Sequence, residues 1–426
     1  MEKVSSSGSP VSSKAVWLWS LYDLANSLAF ANVSFYFSLW LVRDKHISDI
    51  WVSLPAAIST IALILTVPYL GFLSDRLGRR MPFLVGSSLL AIGSLLTFGV
   101  LSTQTSTRLI ITLIVIFYCF FQYFYQAALT FYDALIQSLV GQKSKEQISG
   151  LGMAAGQLGN ALGLILALPF VSGNITLIGV SGRPSAFILG GLLFLLFSAP
   201  TFYFLKDKPI KKDVLPETQL SFLNGTRLSL KDIYQNRPAF NYLIVYYLFS
   251  DALLTLQLFI TLYLEVVGGF DDKMKTLIAV ISLLVAVFGS LISSRIARLL
   301  GGTRKTISYF IALWALFLLI LAMAHSTILI LFTTALNGFA FGVLYSLSRA
   351  YFSDLAPKEK QAEFFSIYTL FERCASILGP VVWSTVILIT ARFGPIAKYR
   401  FGMLSLAVIV GLSFVLFRLT ETRKIT

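Results

Sequence analysis

Charged side chains are scarce in this chain: only 13% of its 426 residues are Asp, Glu, Lys or Arg. A water-soluble domain keeps about a quarter of its residues charged, so this chain lacks the polar surface needed to face water on all sides. Hydrophobic residues make up 56% of the sequence. The composition argues against a soluble protein and indicates an integral membrane protein built of helices.

Cysteine and histidine are equally rare, with two residues of each. Cys119 and Cys374 lie inside apolar segments in different halves of the chain, where a free cysteine acts as a small hydrophobe, so we expect neither a disulfide nor a metal site. His46 and His325 are too few and too far apart to bind a metal. The sequence also has no phosphate-binding Gly-rich loop and no hydrolase triad. We therefore expect no cofactor and no enzymatic activity.

Apolar runs long enough to cross a bilayer recur along the whole chain. We predict twelve membrane-spanning segments: residues 15–42, 50–73, 81–101, 109–140, 148–172, 184–205, 238–266, 274–300, 304–323, 327–354, 361–391 and 398–418. The Ser- and Gly-rich residues 1–13 are predicted to form a disordered tail.

The longest polar stretch, between the sixth and seventh segments, divides the chain into two halves of six helices. The predicted domains are therefore the tail 1–13, a bundle 14–205, a cytoplasmic linker 206–237, a second bundle 238–420 and a cytoplasmic tail 421–426. A weak internal repeat favours this division, since 142–147 before the fifth segment resembles 357–362 before the eleventh. Short basic loops can also look alike by chance.

Basic residues indicate the orientation. They concentrate in the head, the linker, the C-terminal tail and the connections on the same side, whereas the alternate loops hold few. Because Lys and Arg are retained on the inner side of a membrane, we expect both termini to be cytoplasmic, and we place the chain in the plasma membrane. This bias also accounts for the net charge of +14 without a nucleic-acid partner.

Gly71–Arg80, between the second and third segments, is the most informative loop. Its four charges cannot lie in hydrocarbon, and its spacing Gly-x-Leu-x-Asp-Arg-x-Gly-Arg-Arg resembles the signature loop of the major facilitator superfamily of secondary transporters. The resemblance implies an all-α polytopic membrane protein with twelve transmembrane helices in two pseudo-symmetric six-helix bundles. It also implies that the loop latches an inner gate, through Gly71, Asp75, Arg76, Gly78, Arg79 and Arg80.

In that superfamily the loop's Asp docks on the start of the eleventh helix, which here lies near Glu363. The alternative is a basic loop that only sets topology. The corresponding second-half loop, Gly289–Lys305, has Ser293 or Ser294 where an Asp would be, so we expect the first latch to be the stronger one.

Longer motifs resemble one particular branch of this superfamily. The first segment carries Trp19-Ser-Leu-Tyr-Asp-Leu-Ala-Asn-Ser27, and the seventh carries Tyr247-Leu-Phe-Ser-Asp-Ala-Leu-Leu-Thr255. With Gly342–Arg349, Ala362–Phe365 and Gly379-Pro380, these runs are similar to the vacuolar amino-acid effluxers linked to autophagy and their prokaryotic relatives. The resemblance implies transport of amino acids or similar small organic solutes, coupled to protons. Ala252 and Tyr345 depart from that branch's usual Gly and Gln, which weakens the inference about substrate.

Charged and amide side chains inside apolar segments are the candidate transport site. A carboxylate in a membrane helix is costly unless it is paired, protonated or exposed to water, so Asp23 and Asp251 are functional candidates. Asn26 shares a helix face with Asp23, and Thr255 shares one with Asp251. A carboxylate beside a cation can alternate between ion-paired and protonated forms, as proton coupling requires. A static salt bridge or a packing contact is the alternative.

The remaining candidates lie on three other segments. Polar residues at helical spacing indicate a water-facing stripe or interhelical hydrogen bonds. The candidate substrate or proton site thus also includes Gln122 and Gln126 in the fourth segment, Asn337, Tyr345 and Arg349 in the tenth, and Glu372 and Arg373 in the eleventh, where Arg373 could neutralise Asp251 or Glu372. Gly152, Gly156, Gly159 and Gly163 of the fifth segment predict a face for close helix packing.

Together these features predict a secondary active transporter that moves a small organic solute by alternating access, with coupling to protons. The expected partners are the small-molecule substrate, protons and membrane lipid, and we expect a monomer. The competing hypothesis is a receptor or sensor on a transporter scaffold that binds a ligand without cycling. The complete Gly71–Arg80 loop and the lack of a sizeable soluble signalling domain favour transport.

Overall fold

The computed structural model describes residues 13–77, 79–105, 107–139, 145–177, 179, 181–206, 233–357 and 361–422. These residues form helices and no β-strand. The helices are α1 (Ser13–Leu39), α2 (Ile50–Leu77), α3 (Met81–Leu101), α4 (Arg108–Leu139), α5 (Lys145–Val171), α6 (Arg183–Phe204), α7 (Arg237–Val266), α8 (Asp272–Leu299), α9 (Thr303–Met323), α10 (Thr327–Leu355), α11 (Gln361–Cys374), α12 (Leu378–Ile389) and α13 (Pro395–Thr422).

Ten helices of the described chain are long and apolar enough to cross a membrane. Two shorter apolar stretches, Ile50–Thr66 and Leu378–Ile389, lie where the second and eleventh segments are predicted. The all-α polytopic architecture is confirmed, with helices at all twelve predicted places.

The chain folds into two compact units. The first comprises Met1–Val33 and Leu65–Pro216, and the second comprises Ser34–Ile64 and Glu217–Thr426. Each of α1 and α2 therefore contributes one part to each unit. The bundle boundaries predicted from the sequence stay a prediction.

In the first unit, α1 and α5 approach each other through a row of glycines. A Cβ atom at Gly159 would collide with the main-chain oxygen of Leu24, and one at Gly163 with that of Leu28. Only glycine permits such contact between two helix backbones, which is the packing mode of small residues in membranes. The structure thus gives these α5 glycines the packing contacts expected from their spacing.

The second unit uses the same device between α8 and α10. The carbonyl oxygens of Ser282 and Ala286 lie where Cβ atoms of Gly338 and Gly342 would be. The turn that joins α8 to α9 is also built by glycine, since Gly301 and Gly302 both have positive φ.

The predicted eleventh segment differs from the observed structure, because it is two helices and not one. α11 ends at Cys374 and α12 begins at Leu378, with Ala375–Ile377 between them. Pro380 has no N–H to donate to the carbonyl of Ser376, and its ring would clash with that carbonyl in a continuous helix. Pro380 instead lies in the first turn of α12, where a missing N–H costs nothing.

A buried ion cluster belongs to the second unit. The Lys275 ammonium is fully buried, lies 2.6 Å from Asp272 Oδ1 and also pairs with Glu265. Glu265 receives a second cation, Arg43, at 3.0 Å. Because an unpaired charge is costly inside a protein, two carboxylates around Lys275 are needed to hold it there.

Candidate functional site

The most distinctive polar group of the second unit is the carboxylate of Asp251. It lies in the middle of α7, it is fully buried, and it faces the N-terminus of α12. The main-chain N–H groups of Leu378 and Gly379 point toward it. Neither carboxylate oxygen completes a hydrogen bond of normal length and angle with a described residue. The break in the eleventh segment thus brings free amide groups to a buried acid.

Gly379 and Thr255 close this site. A Cβ atom on Gly379 would lie 2.9 Å from Asp251 Oδ2 and 2.9 Å from the Asp251 main-chain oxygen, and it would overlap Thr255 Oγ1. The Thr255 hydroxyl donates to the Asp251 main-chain oxygen at 2.7 Å. The absence of a side chain at Gly379 is therefore what lets the carboxylate approach the α12 amides.

Tyr247 extends the site by one helical turn of α7. The Leu378 N–H points toward its hydroxyl as well, and its ring meets Phe371 of α11 edge-on at 6.5 Å. Tyr247 is half-buried, unlike Asp251. Tyr247, Asp251 and Thr255 follow each other at intervals of four residues, so they form one stripe along the start of α12.

The first unit holds a second carboxylate in an equivalent place. Asp23 Oδ2 and Ser27 Oγ each lie 3.1 Å from the position that a Cβ atom of Gly156 would occupy. Asp23 also neighbours the Tyr132 hydroxyl and Asp133 of α4. Asp23-x-x-x-Ser27 facing Gly156 repeats Asp251-x-x-x-Thr255 facing Gly379. The two halves thus share one constellation, which the sequence motifs alone did not reveal.

Tyr22 and Tyr132, which lie near Asp23, belong to a cluster of aromatic rings. The Trp19 ring stacks on Tyr132 with centroids 4.3 Å apart, and its Nε1–H donates to the Tyr132 main-chain oxygen at 3.1 Å. Tyr22 donates to or accepts from Ser88 at 2.7 Å. These contacts give the aromatic residues of the first-segment motif a structural role in holding α1 against α3 and α4.

The other predicted residues of the first unit lie near this group or farther along the same helices. Asn26 is buried, and its Nδ2 lies 3.4 Å from the Tyr125 hydroxyl. Gln122 donates to the Tyr118 hydroxyl at 3.0 Å on its own helix. Gln126 is half-buried on α4. These contacts are interhelical or within one helix, which matches the hydrogen-bonding alternative as well as a cavity lining.

In the second unit, three predicted residues of α10 have separate environments. Asn337 is buried and donates to the Thr333 carbonyl at 2.8 Å. Tyr345 lines a small cavity with Ser250 and Trp314. The Arg349 guanidinium is exposed and lies 5.3 Å from the centre of the Tyr345 ring.

Two predicted residues lie on α11. Glu372 is half-buried and interacts with Tyr246, whose ring stacks on that of Tyr368 at 4.2 Å. The side chain of Arg373 lies outside the described residues. Its predicted pairing with Asp251 or Glu372 therefore stays a prediction.

Much of the predicted latch, Gly71–Arg80, lies outside the residues that the structure describes. Gly78 and the side chains of Asp75 and Arg76 are not described, nor is that of Glu363. Arg79 is exposed and donates its main-chain N–H to the Ser74 oxygen, and the Arg80 oxygen caps the start of α3. The gating roles of Gly71–Arg80 stay predictions.

Sequence reasoning missed several polar contacts. Lys275 was not among the candidate residues, but the Asp272-x-x-Lys275 spacing could have indicated an ion pair inside a helix. Asn32 is fully buried in α1 with no hydrogen bond to a described residue, and it lies against Gly190 of α6. The dipeptide Gly379-Pro380 was a signal for the helix break.

Solved structures show which class of protein has this fold. The chain aligns over 95% of its length with a crystal structure of a mutant of the nucleoside transporter NupG, at a TM-score of 0.77 and 13% identity. It aligns over 93% of its length with the D-xylose-proton symporter, at a TM-score of 0.69 and 13% identity. These alignments cover 99% and 96% of those chains. The fold is that of the major facilitator secondary transporters.

Sequence comparison identifies the family to which the chain belongs. Residues 49–425 match the family model described as vacuole effluxer Atg22 like, and the chain belongs to that family. An uncharacterised protein of Aquifex aeolicus is 28% identical over 87% of this chain and 89% of its own. The uncharacterised MFS-type transporter YxiO of Bacillus subtilis is 24% identical over 92% of this chain and 94% of its own. Autophagy-related protein 22 of Yarrowia lipolytica is 25% identical over 57% of this chain and 45% of its own.

Proposed function

We propose that this secondary transporter couples the movement of an amino acid, or a similar small organic solute, to protons. The observation that carries the proton coupling is the buried carboxylate of Asp251, held in the middle of α7 without a complete hydrogen bond to a described residue. A carboxylate in such a place is stable in the membrane when it carries a proton or meets a compensating charge. Its protonation is therefore a natural step to link to solute movement.

The amino-acid part of the proposal rests on family membership and on the motifs of the first, seventh, tenth and eleventh segments. Each unit taken by itself also holds a polar group that suits one end of an amino acid. The carboxylate of Asp23 suits an ammonium group, and the start of α12 suits a carboxylate group, because a helix N-terminus is positive.

We further propose the plasma membrane, with both termini in the cytoplasm and the chain acting as a monomer. The distribution of Lys and Arg supports this orientation. In this orientation the Gly71–Arg80 loop faces the cytoplasm, as an inner gate requires.

The test is accumulation of a radiolabelled mixture of the standard L-amino acids in proteoliposomes, with and without an imposed proton gradient. We expect gradient-driven accumulation by the wild type and its loss in Asp251→Asn. The matched control is Asp354→Asn, which removes an exposed carboxylate from the end of α10 and should accumulate solute like the wild type. Equal gradient-driven accumulation by Asp251→Asn would contradict the coupling role. Saturable binding without any flux would instead favour a sensor.

A further inference from the structure

We propose that the start of α12 is a carboxylate-binding site, occupied by Asp251 in the resting protein and by a carboxylate group of the solute during transport. The exchange occurs when Asp251 takes up a proton and leaves the α12 amides. This inference rests on the proposed function and deepens it, because it names the chemical group by which the solute is bound.

The start of α12 presents N–H donors that have no partner within the helix. It has 12 residues, and its N-cap residue Ile377 makes no side-chain capping hydrogen bond. The first N–H groups of a helix have no partner within that helix, and together with the helix dipole they favour an anion. Broken membrane helices use such ends to bind anionic groups of substrates.

Position 379 places no side chain between a carboxylate and the α12 amides. A Cβ atom there would lie 2.9 Å from Asp251 Oδ2 and would overlap Thr255 Oγ1. Thr255 turns its hydroxyl to the Asp251 main chain, so it does not occupy the donors of α12. A carboxylate can therefore reach the amides of Leu378 and Gly379 without meeting a side chain at position 379.

The hydrogen bonding of the Asp251 carboxylate at the start of α12 is incomplete. Its carboxylate is fully buried and aimed at α12, yet neither oxygen completes a hydrogen bond with a described residue. The titratable groups that face this region are Tyr247 on α7 and Cys374 at the end of α11. Glu372 and Arg349 act on Tyr246 instead. Among the described residues, the amides of α12 are thus the main compensation for the charge of Asp251.

Tyr247 lies where a solute could approach the site. It is half-buried, and its hydroxyl faces the Leu378 N–H. It is thus the more accessible end of the stripe that leads to Asp251. A solute carboxylate arriving along α7 would first meet the Leu378 N–H beside Tyr247 and then Gly379.

The charges balance in this exchange. A proton taken up from the bulk solution binds one oxygen of the Asp251 carboxylate, which becomes neutral. The solute carboxylate keeps its negative charge and takes over the α12 amides. The start of α12 therefore carries one anion before and after the exchange, and one proton is taken up for each carboxylate bound.

The experiment is equilibrium binding to the detergent-purified full chain across a series of pH values. Each standard L-amino acid that binds is compared with its own carboxamide, which keeps the side chain and the ammonium group but not the anion. For the wild type we expect binding of the carboxylate, with a dissociation constant that rises about tenfold per pH unit where Asp251 is ionised, since one proton is linked to binding. We expect the carboxamide to bind weakly.

Variants sharpen the test. Asp251→Asn leaves the amides free at every pH, so it should bind the carboxylate with an affinity that does not change with pH. Gly379→Ala should lose the preference for carboxylate over carboxamide. Gly411→Ala on α13 makes the same change where no heavy atom lies within 4 Å, and it should keep that preference.

Equal binding of carboxylate and carboxamide by the wild type would overturn the inference, whether or not the variants fold. So would a wild-type affinity that is independent of pH. If such a protein still accumulates amino acids on a proton gradient, only the carboxylate site is wrong and the proposed function stands. If carboxylates bind with the expected pH dependence but no bound solute is moved, the site stands and the transport proposal fails.

Discussion

Asp23 and Asp251 occupy equivalent places in the two units, but the helices that face them differ. Each acid is followed four residues later by a hydroxyl side chain, and each lies against a glycine on another helix. Gly156 belongs to α5, which runs unbroken from Lys145 to Val171, whereas Gly379 is the second residue of α12. The same constellation thus faces the middle of a helix in one unit and the start of a helix in the other.

One residue accounts for much of this difference. Gly156 is followed by Gln157, which can donate its N–H within a continuous helix, and Gly379 is followed by Pro380, which cannot. Backbone N–H groups in the middle of a helix are already used, but those at its start are free. We infer that two similar sequences acquired different chemistry through the facing helix and not through the acids themselves.

The largest expected effect comes from neutralising each acid in turn. Asp251→Asn should reduce proton-driven accumulation in proteoliposomes at least tenfold, to the level seen with a protonophore, because the proton-binding group is lost. Asp23→Asn should slow transport but keep its dependence on the gradient, since Asp23 does not face a helix start. The comparison fails if Asp23→Asn abolishes gradient dependence while Asp251→Asn keeps it.

Adding a methyl group at Gly379 or at Gly156 should lower the free energy of unfolding by different amounts. Gly379→Ala brings Cβ against the Thr255 hydroxyl and the main-chain oxygen of Asp251 and should cost about 1–3 kcal/mol, as overpacking does. The nearest atoms to a Cβ at Gly156 belong to the side chains of Asp23 and Ser27, which can move, so Gly156→Ala should cost less. Thermal unfolding of the purified variants measures both. A lower melting temperature for Gly156→Ala than for Gly379→Ala would speak against the geometry described.

Pro380→Gln should make the second site resemble the first. The new N–H can join a continuous helix and draw the α12 amides away from Asp251. The loss of one charged hydrogen bond, worth about 1.5–3 kcal/mol, should weaken carboxylate binding by tenfold or more. Isothermal titration with L-amino acids and their carboxamides reports this change. The role of the break is wrong if the variant keeps the full preference for carboxylates.

Asp49, in the connection before α2, provides a third buried acid for reference. It receives a hydrogen bond from the Tyr399 hydroxyl at 3.1 Å, which Asp251 lacks. Burial raises the pKa of Asp49, and the charge of Lys398 and the Tyr399 hydrogen bond oppose this. A raised folded-state pKa gives a stability contribution that is present below the usual Asp value of about 3.9 and is lost as pH rises through the folded-state pKa.

We therefore expect the melting temperature of the wild type to fall as pH rises from about 3.9 through the folded-state pKa of Asp49. Asp49→Asn should make this fall smaller. This is the smallest of the four expected effects. Asn can still accept the Tyr399 hydrogen bond, so the change isolates the charge. Asp354→Asn, at an exposed site, should keep the wild-type slope. An unchanged slope in Asp49→Asn would mean that Asp49 is not the group that titrates.

Much of the fold could be predicted because bilayer thickness sets the length of each apolar run. Asp251 could be singled out for a similar reason, since a lone carboxylate in an apolar helix is costly. Its partner could not be predicted, because α12 lies more than a hundred residues away in the chain and packing alone brings them together. The break was missed because counting apolar residues does not detect a proline that lies inside an apolar run.

The most direct test of the account is to count protons during binding. The purified chain is mixed with a bound L-amino acid in weakly buffered solution at a pH where Asp251 is ionised, and a pH indicator records the change. The account predicts uptake of about one proton per carboxylate bound by the wild type and none by Asp251→Asn, although the variant still binds. Binding to the wild type without proton uptake, or equal uptake by Asp251→Asn, would contradict it.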